Sequence, residues 1–87
     1  MGPPLFEVEK TVKTPKRYQV ILSNYAKMFL DQSIDEVFYI GPENIVKRLE
    51  RLFSNIDKLV VDGKSYPVHE NVLKRIQFLS YEDWNNF

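Results

Sequence analysis

The segment Ser33-Ile34-Asp35-Glu36-Val37-Phe38-Tyr39-Ile40-Gly41 decides the fold, because its residues favour two different structures. Ser33 followed three residues later by Glu36 is the pattern of a capping box, in which each side chain binds the other residue's backbone N–H. This pattern predicts a short helix over residues 34–40 that ends at Gly41. The second half of the segment is instead rich in the β-branched and aromatic residues that favour strands. A helix and a strand therefore both remain possible for this segment. The predicted fold of the whole chain assumes the helix.

An amphipathic helix and a hairpin are predicted to follow this segment. Pro42 suits the start of a helix, and residues 43–55 carry apolar residues at helical spacing. Asp62-Gly63 is a two-residue hairpin signal between predicted strands at 58–61 and 64–68. A last helix is then expected, with the apolar residues Val72, Leu73, Ile76 and Leu79.

A longer helix is predicted before the deciding segment, over residues 15–31. Thr14 can accept a hydrogen bond from the first turn, and Pro15 suits its first position. The apolar stripe of this helix consists of Tyr18, Ile21, Leu22, Tyr25, Met28 and Phe29. Residues 1–13 alternate imperfectly between apolar and polar side chains, which predicts an N-terminal arm or a short edge strand.

A possible internal repeat supports an alternative fold. Residues 34–52 align without gaps to residues 61–79. The identical pairs are Asp35/Asp62, Tyr39/Tyr66, Glu43/Glu70, Asn44/Asn71, Lys47/Lys74, Arg48/Arg75 and Leu52/Leu79. A true duplication would make each unit a strand followed by a helix, in a small α+β layer. The other explanation is that two amphipathic helices share common Lys and Arg residues.

Composition narrows the class of protein. The chain has 87 residues, which predicts one domain over residues 1–87, with an aromatic acidic tail at 81–87. It has no cysteine and one histidine, His69, so we expect no metal site, because zinc takes three or four nitrogen or sulfur ligands. No apolar run is long enough for a membrane span, and no signal peptide is recognisable. We therefore expect an intracellular protein, cytoplasmic or nuclear, that is not secreted.

Enzymatic activity has no support in the sequence. The chain has 3 glycines, and they do not form a phosphate-binding loop. His69 is the single histidine of the chain and has no evident carboxylate or nucleophile partner, so it makes a poor general base. We expect no catalytic residue and no cofactor.

The predicted order of helix, short helix, helix and β-hairpin over residues 15–68 resembles winged helix-turn-helix domains. Residues 45–52 resemble their recognition helix, and residues 58–68 resemble the wing. The resemblance implies an α+β, mostly helical fold that is winged-helix-like and ends in a C-terminal helix. It also implies a small nucleic-acid-binding protein with a regulatory function. The net charge of +0, from 12 basic and 12 acidic residues, is low for such a domain.

The resemblance assigns the nucleic-acid contacts to specific residues. The helix residues expected to face the major groove of duplex DNA are Asn44, Lys47, Arg48 and Arg51. Lys64 would contact DNA from the wing, and Lys16 and Arg17 would bind backbone phosphate. The alternative is a solvated helix face, on which Glu43 forms an ion pair with Lys47.

A protein-interaction module is the second functional hypothesis. Tyr81, Trp84 and Phe87 recur at every third residue of the acidic tail. Aromatic residues dominate interface hot spots, so these three are candidate contacts for a partner protein. The alternative is that they fold back and enlarge a small core. The hairpin edge is a further candidate docking site, and the last helix could form a homodimer.

Overall fold

The computed structural model describes residues 2–85, with the backbone alone for residues 84 and 85. The secondary structure alternates between strands and helices along most of this length. The elements are β1 (Pro4–Val8), α1 (Pro15–Leu30), β2 (Glu36–Gly41), α2 (Glu43–Ser54), β3 (Lys58–Val61), β4 (Lys64–Pro67), α3 (Glu70–Leu73), β5 (Ile76–Ser80) and α4 (Tyr81–Asn85).

Three of the strands form a parallel sheet in the order β1-β2-β5. The central strand β2 places Val37 beside Leu5 of β1 and beside Ile76 of β5. The strands β3 and β4 form a separate antiparallel hairpin. Its turn residues Asp62 and Gly63 both have positive φ, at 53° and 78°, as a two-residue hairpin turn of this type requires.

Both long helices pack on the same face of the parallel sheet. Side chains alternate along β2, so Val37 and Tyr39 point toward the helices and are almost fully buried. Tyr39 contacts Phe53 of α2 edge-on, with ring centroids 5.4 Å apart, and stacks on Phe78 of β5 at 5.8 Å. Tyr25 of α1 reaches the same ring. The core therefore lies between one helical layer and one sheet.

The hairpin is attached to the side of α1 by polar contacts. Ser23 Oγ accepts a hydrogen bond from the backbone N–H of Val60 at 3.0 Å. One turn earlier in α1, the side-chain amide of Gln19 donates to the carbonyl of Lys58 at 2.9 Å. Between these two bonds Leu59 enters the core. The hairpin is thus a third part of the domain and does not extend the parallel sheet.

The predicted winged-helix-like, mostly helical fold is wrong, because residues 36–41 form the central strand of a parallel sheet. Ser33 does not start a helix. Its hydroxyl donates to Asp31 at 2.6 Å, in the turn that follows α1. A strand at this position buries Val37 and Tyr39 and pairs with a neighbouring strand on each side, whereas a helix would lose both strand pairings.

The predicted last helix is also wrong beyond its first turn. Helix α3 ends at Leu73, and the chain continues as β5. A homodimer stays a prediction. The backbone N–H of Val37 donates to the carbonyl of Arg75 at 2.9 Å, which joins β5 to the central strand. The two aligned segments therefore differ in structure: residues 43–54 form a helix, and the counterpart of their second half is a strand.

Candidate partner-binding groove

A groove of about 430 Å³ lies between the edge strand β1 and helix α1. Apolar side chains of both elements line it, namely Leu5 of β1 and Ile21 and Met28 of α1. Polar groups converge on the same space from β1, from the loop after it, from α1 and from β2. They are Glu7, Glu9, Lys13, Asn24, Tyr25 and Tyr39.

Local structure determines which side chains reach this groove. Alternation along β1 directs Leu5 and Glu7 toward α1, whereas Val8 points to the other face and is 61% exposed. Glu9, the first residue after the strand, also lines the groove. On α1, residues three, four and seven positions apart share one side. The flank of α1 that carries Ile21, Tyr25 and Met28 therefore faces β1, and the opposite flank holds the hairpin.

The deep side of the groove is closed by two tyrosines. The hydroxyl oxygens of Tyr25 and Tyr39 lie 2.9 Å apart in a buried hydrogen bond. Burial raises the pKa of Tyr25 to about 12, and the negative charge of Glu7 adds to this rise. Burial also raises the pKa of Tyr39. Both phenols are therefore neutral at physiological pH.

The end of the groove beside the β1–α1 loop contains a carboxylate whose charge is paired with a lysine. Lys13 Nζ forms an ion pair with Glu9 and lies 2.8 Å from its Oε2. The Tyr18 hydroxyl donates to the same carboxylate at 3.3 Å and accepts a hydrogen bond from the Lys13 backbone N–H at 3.0 Å. Burial raises the pKa of Tyr18, so this hydroxyl stays a donor at neutral pH.

The middle of the groove contains a carboxylate without a compensating cation. Glu7 is half-buried on the face of β1 that packs against α1. Within the part of the chain that the structure describes, none of the ion pairs includes Glu7. Glu7 on β1 and Glu9 just after it thus have the same chemistry, but among the described ion pairs only Glu9 has a cationic partner.

The backbone of Val8 lies on the outer edge of β1. In the described sheet β1 has one hydrogen-bonded neighbour, β2. The Glu9 backbone N–H donates to the Ile40 carbonyl at 2.9 Å, which shows that the backbone groups of Glu9 point toward β2. Backbone groups alternate in direction along a strand, so the N–H and C=O of Val8 point to the free edge.

The residues predicted to contact DNA are distributed over more than one part of the surface. Asn44, Lys47, Arg48 and Arg51 lie together on the exposed side of α2. Lys47 Nζ lies 3.0 Å from Glu43, so part of the positive charge of this face is already paired. This ion pair is the one that the solvated-face alternative predicts.

The remaining predicted DNA contacts lie at two ends of α1. Lys16 and Arg17 are in its first turn. Lys64 follows the hairpin turn, whose Asp62 lies 3.7 Å from Lys27. Lys16 and Lys27 are separated by about 16 Å along the helix axis, at 1.5 Å per residue. These cations therefore do not lie on one straight recognition surface.

The predicted aromatic contacts are described in part. Tyr81 begins α4 and is 38% exposed. The side chain of Trp84 and the whole of Phe87 lie outside the described residues. The prediction that the three act together on a partner therefore stays a prediction.

Reasoning from the sequence missed the groove. The imperfect alternation of residues 1–13 and the helical stripe of residues 15–31 each predict an element, but neither predicts that the two elements are neighbours. A usable signal was present in Glu7 and Glu9, which share one face of a short strand.

No group of three His, Cys, Asp or Glu side chains within residues 2–85 is placed to hold a metal ion. Among the helices of the same residues, none combines the length and apolarity needed to cross a membrane.

Compared with protein-family models, with curated proteins and with solved structures, the chain shows no match to any of them. The function is therefore inferred from the geometry of the chain itself.

Proposed function

We propose that this protein is a non-enzymatic protein-binding module in which β1 accepts an extended segment of a partner as an additional strand. The observation that carries the proposal is the free edge of β1 directly beside the groove against α1. An edge strand next to a helix-lined groove is the geometry of β-strand addition, in which main-chain bonds supply affinity and side-chain pockets supply specificity.

The backbone of β1 supports such pairing over a short length. The N–H and C=O of Val8 point outward and would bond to the added strand. Pro4 begins β1 and has no N–H, so the donor row cannot extend past that end. Native sheets often use proline and short strands to limit edge pairing. The free edge of this protein is therefore limited to a few residues, which favours one register over extended aggregation.

The groove would receive the side chains of the added strand. Successive side chains of a strand point to opposite faces, so every second residue of the partner would lie over α1. Leu5, Ile21 and Met28 offer apolar contact there, and the polar groups of Glu7 and Asn24 are next to them. The mixture of an apolar floor with a few polar groups is typical of a selective peptide site.

Nucleic-acid binding by α2 stays a prediction. Its exposed cations support it, and the ion pair between Lys47 and Glu43 and the net charge of +0 weigh against it. Anisotropy of a labelled mixed-sequence DNA duplex separates the two functions, because binding that weakens steeply with salt would favour the nucleic-acid function instead.

Selection from a displayed library of extended peptides tests the proposed function. The informative variant is Val8→Pro, which removes an outward N–H and leaves the bonds to β2 in place. The matched control is Val8→Thr, which retains the N–H and favours a strand. We expect selected peptides to bind the wild type and Val8→Thr with equal affinity. Their affinity for Val8→Pro should be at least about tenfold lower, because this variant loses one or more main-chain hydrogen bonds to the peptide.

A second measurement does not depend on the folding of the proline variant. Nuclear Overhauser contacts between a bound, labelled peptide and the wild-type protein should connect the peptide backbone to β1 and its side chains to α1. Failure to select any peptide, or contacts that map to another surface, would contradict the proposed function.

A further inference from the structure

We propose that the partner segment carries a lysine or arginine whose side chain enters the groove and forms an ion pair with Glu7. This inference rests on the proposed function and names the chemistry of the partner at one position.

The contrast between Glu7 and Glu9 is the first argument. Glu9 has Lys13 and the Tyr18 hydroxyl as partners. Glu7 carries the same charge two residues earlier, on β1, and the ion pairs of the described chain do not include it. A side-chain hydrogen bond joins Glu7 to Tyr25, and a cation in the same site would stabilise this half-buried carboxylate further.

The neighbours of Glu7 are the second argument. Glu7 is the register partner of Tyr39 on β2, and its charge acts on Tyr25 as well. These phenols are neutral at physiological pH, so they can offer hydrogen bonds but no positive charge. An incoming ammonium or guanidinium group would form the stronger, charge-assisted bond.

The surroundings of the carboxylate suit the shape of a basic side chain. Lysine and arginine bury an aliphatic stem while their charged group stays at a polar site. Ile21 and Met28 line the groove along α1 and can pack against such a stem. The residue two positions away on the partner strand would lie over Leu5 and is expected to be apolar. The partner segment is therefore extended, with a basic residue and an apolar residue separated by one position.

The test compares two versions of a selected peptide, one with lysine and one with glutamine at the position facing Glu7, in fluorescence titrations. For the wild type we expect the glutamine peptide to bind about tenfold more weakly, in line with the loss of a charged hydrogen bond. For Glu7→Gln we expect the two peptides to bind equally. The matched control Glu50→Gln removes an exposed carboxylate of α2 and should retain the full tenfold difference.

The outcomes separate this inference from the function on which it rests. Peptides that require the Val8 N–H but show no preference for lysine or arginine would overturn the inference and leave the proposed function intact. A preference for the lysine peptide that persists in Glu7→Gln would also overturn it. Failure to select any peptide would overturn both. The comparison of the two peptides on the wild type needs no variant, so equal binding there would overturn the inference even if Glu7→Gln is unstable.

Discussion

The hydroxyl oxygen of Tyr25 on α1 lies 2.9 Å from the hydroxyl oxygen of Tyr39 on the central strand. The bond crosses from the helical layer to the sheet, and its two rings meet edge-on with centroids 6.3 Å apart. It also forms the inner wall of the groove beside β1. The same buried hydrogen bond thus contributes to the stability of the core and forms part of the candidate site.

Removing one hydroxyl of this pair should destabilise the fold. Tyr39 is 2% exposed. Tyr25→Phe therefore leaves the buried Tyr39 hydroxyl without its tyrosine partner. We expect the free energy of unfolding to fall by about 1–3 kcal/mol, the cost of an unsatisfied buried polar group. The double variant Tyr25→Phe, Tyr39→Phe should cost less than the sum of the single variants, because neither hydroxyl is then left alone. Urea unfolding of the four proteins measures the coupling, and strictly additive losses would contradict it.

The same pair should make the fold sensitive to alkaline pH. A tyrosine whose pKa is higher in the folded state than in the unfolded state contributes its full stability below the unfolded pKa of about 10. That contribution is lost as the pH rises, because the unfolded chain loses its proton first. With the pKa of Tyr25 raised to about 12, we expect the unfolding free energy to fall between pH 10 and 12.

Urea unfolding at a series of pH values measures this decline. The double variant Tyr25→Phe, Tyr39→Phe should show a smaller decline over the same range. The control Tyr66→Phe, which removes an exposed tyrosine of the hairpin, should retain the wild-type decline. An equal decline in all three proteins would show that the buried pair is not its source.

The hairpin should depend on the hydroxyl of Ser23. This group donates to the Gln19 carbonyl at 2.7 Å and accepts from the Val60 N–H at 3.0 Å. Ser23→Ala removes the acceptor of Val60, at an expected cost of about 1–3 kcal/mol. Amide hydrogen exchange at Val60 should accelerate by more than exchange in β2.

The matched control for this prediction is Ser54→Ala. Ser54 also donates to a backbone carbonyl, that of Arg51 at 2.8 Å, but it is exposed at the end of α2. We expect little change in its unfolding free energy, because water can replace the bond. A similar loss in both variants would mean that the Ser23 contact does not attach the hairpin.

Gly41 should tolerate no side chain. A Cβ at this position would meet the backbone carbonyl oxygen of Glu9, where the chain leaves β1. Backbone cannot give way as a flexible side chain can, so we expect Gly41→Ala to destabilise the fold by about 1–3 kcal/mol, as overpacking does. Gly63→Asn is the control, since its site is open and asparagine tolerates positive φ. Thermal unfolding compares the two, and a neutral Gly41→Ala would contradict the close approach of the strands.

Part of the candidate site could be predicted from the sequence. The apolar stripe of residues 15–31 predicts the helix that forms one wall, and the imperfect alternation of residues 1–13 predicts an N-terminal arm or a short edge strand for the other. Their adjacency could not be predicted, because it follows from the parallel pairing of β1 with β2. In the described sheet the same pairing places the Val8 backbone on the outer edge of β1, so the candidate site depends on the topology of the whole sheet.

The sequence by itself determined the elements whose hydrogen bonds are local. Helices α1 and α2 bond within four residues, and Thr14 caps the first of them. The hairpin turn at Asp62-Gly63 bonds across two residues. Only the tertiary structure decided that residues 36–41 and 76–80 are strands. Their bonds join segments that are far apart in the chain, so the local pattern of either segment is compatible with a helix until the core between them forms.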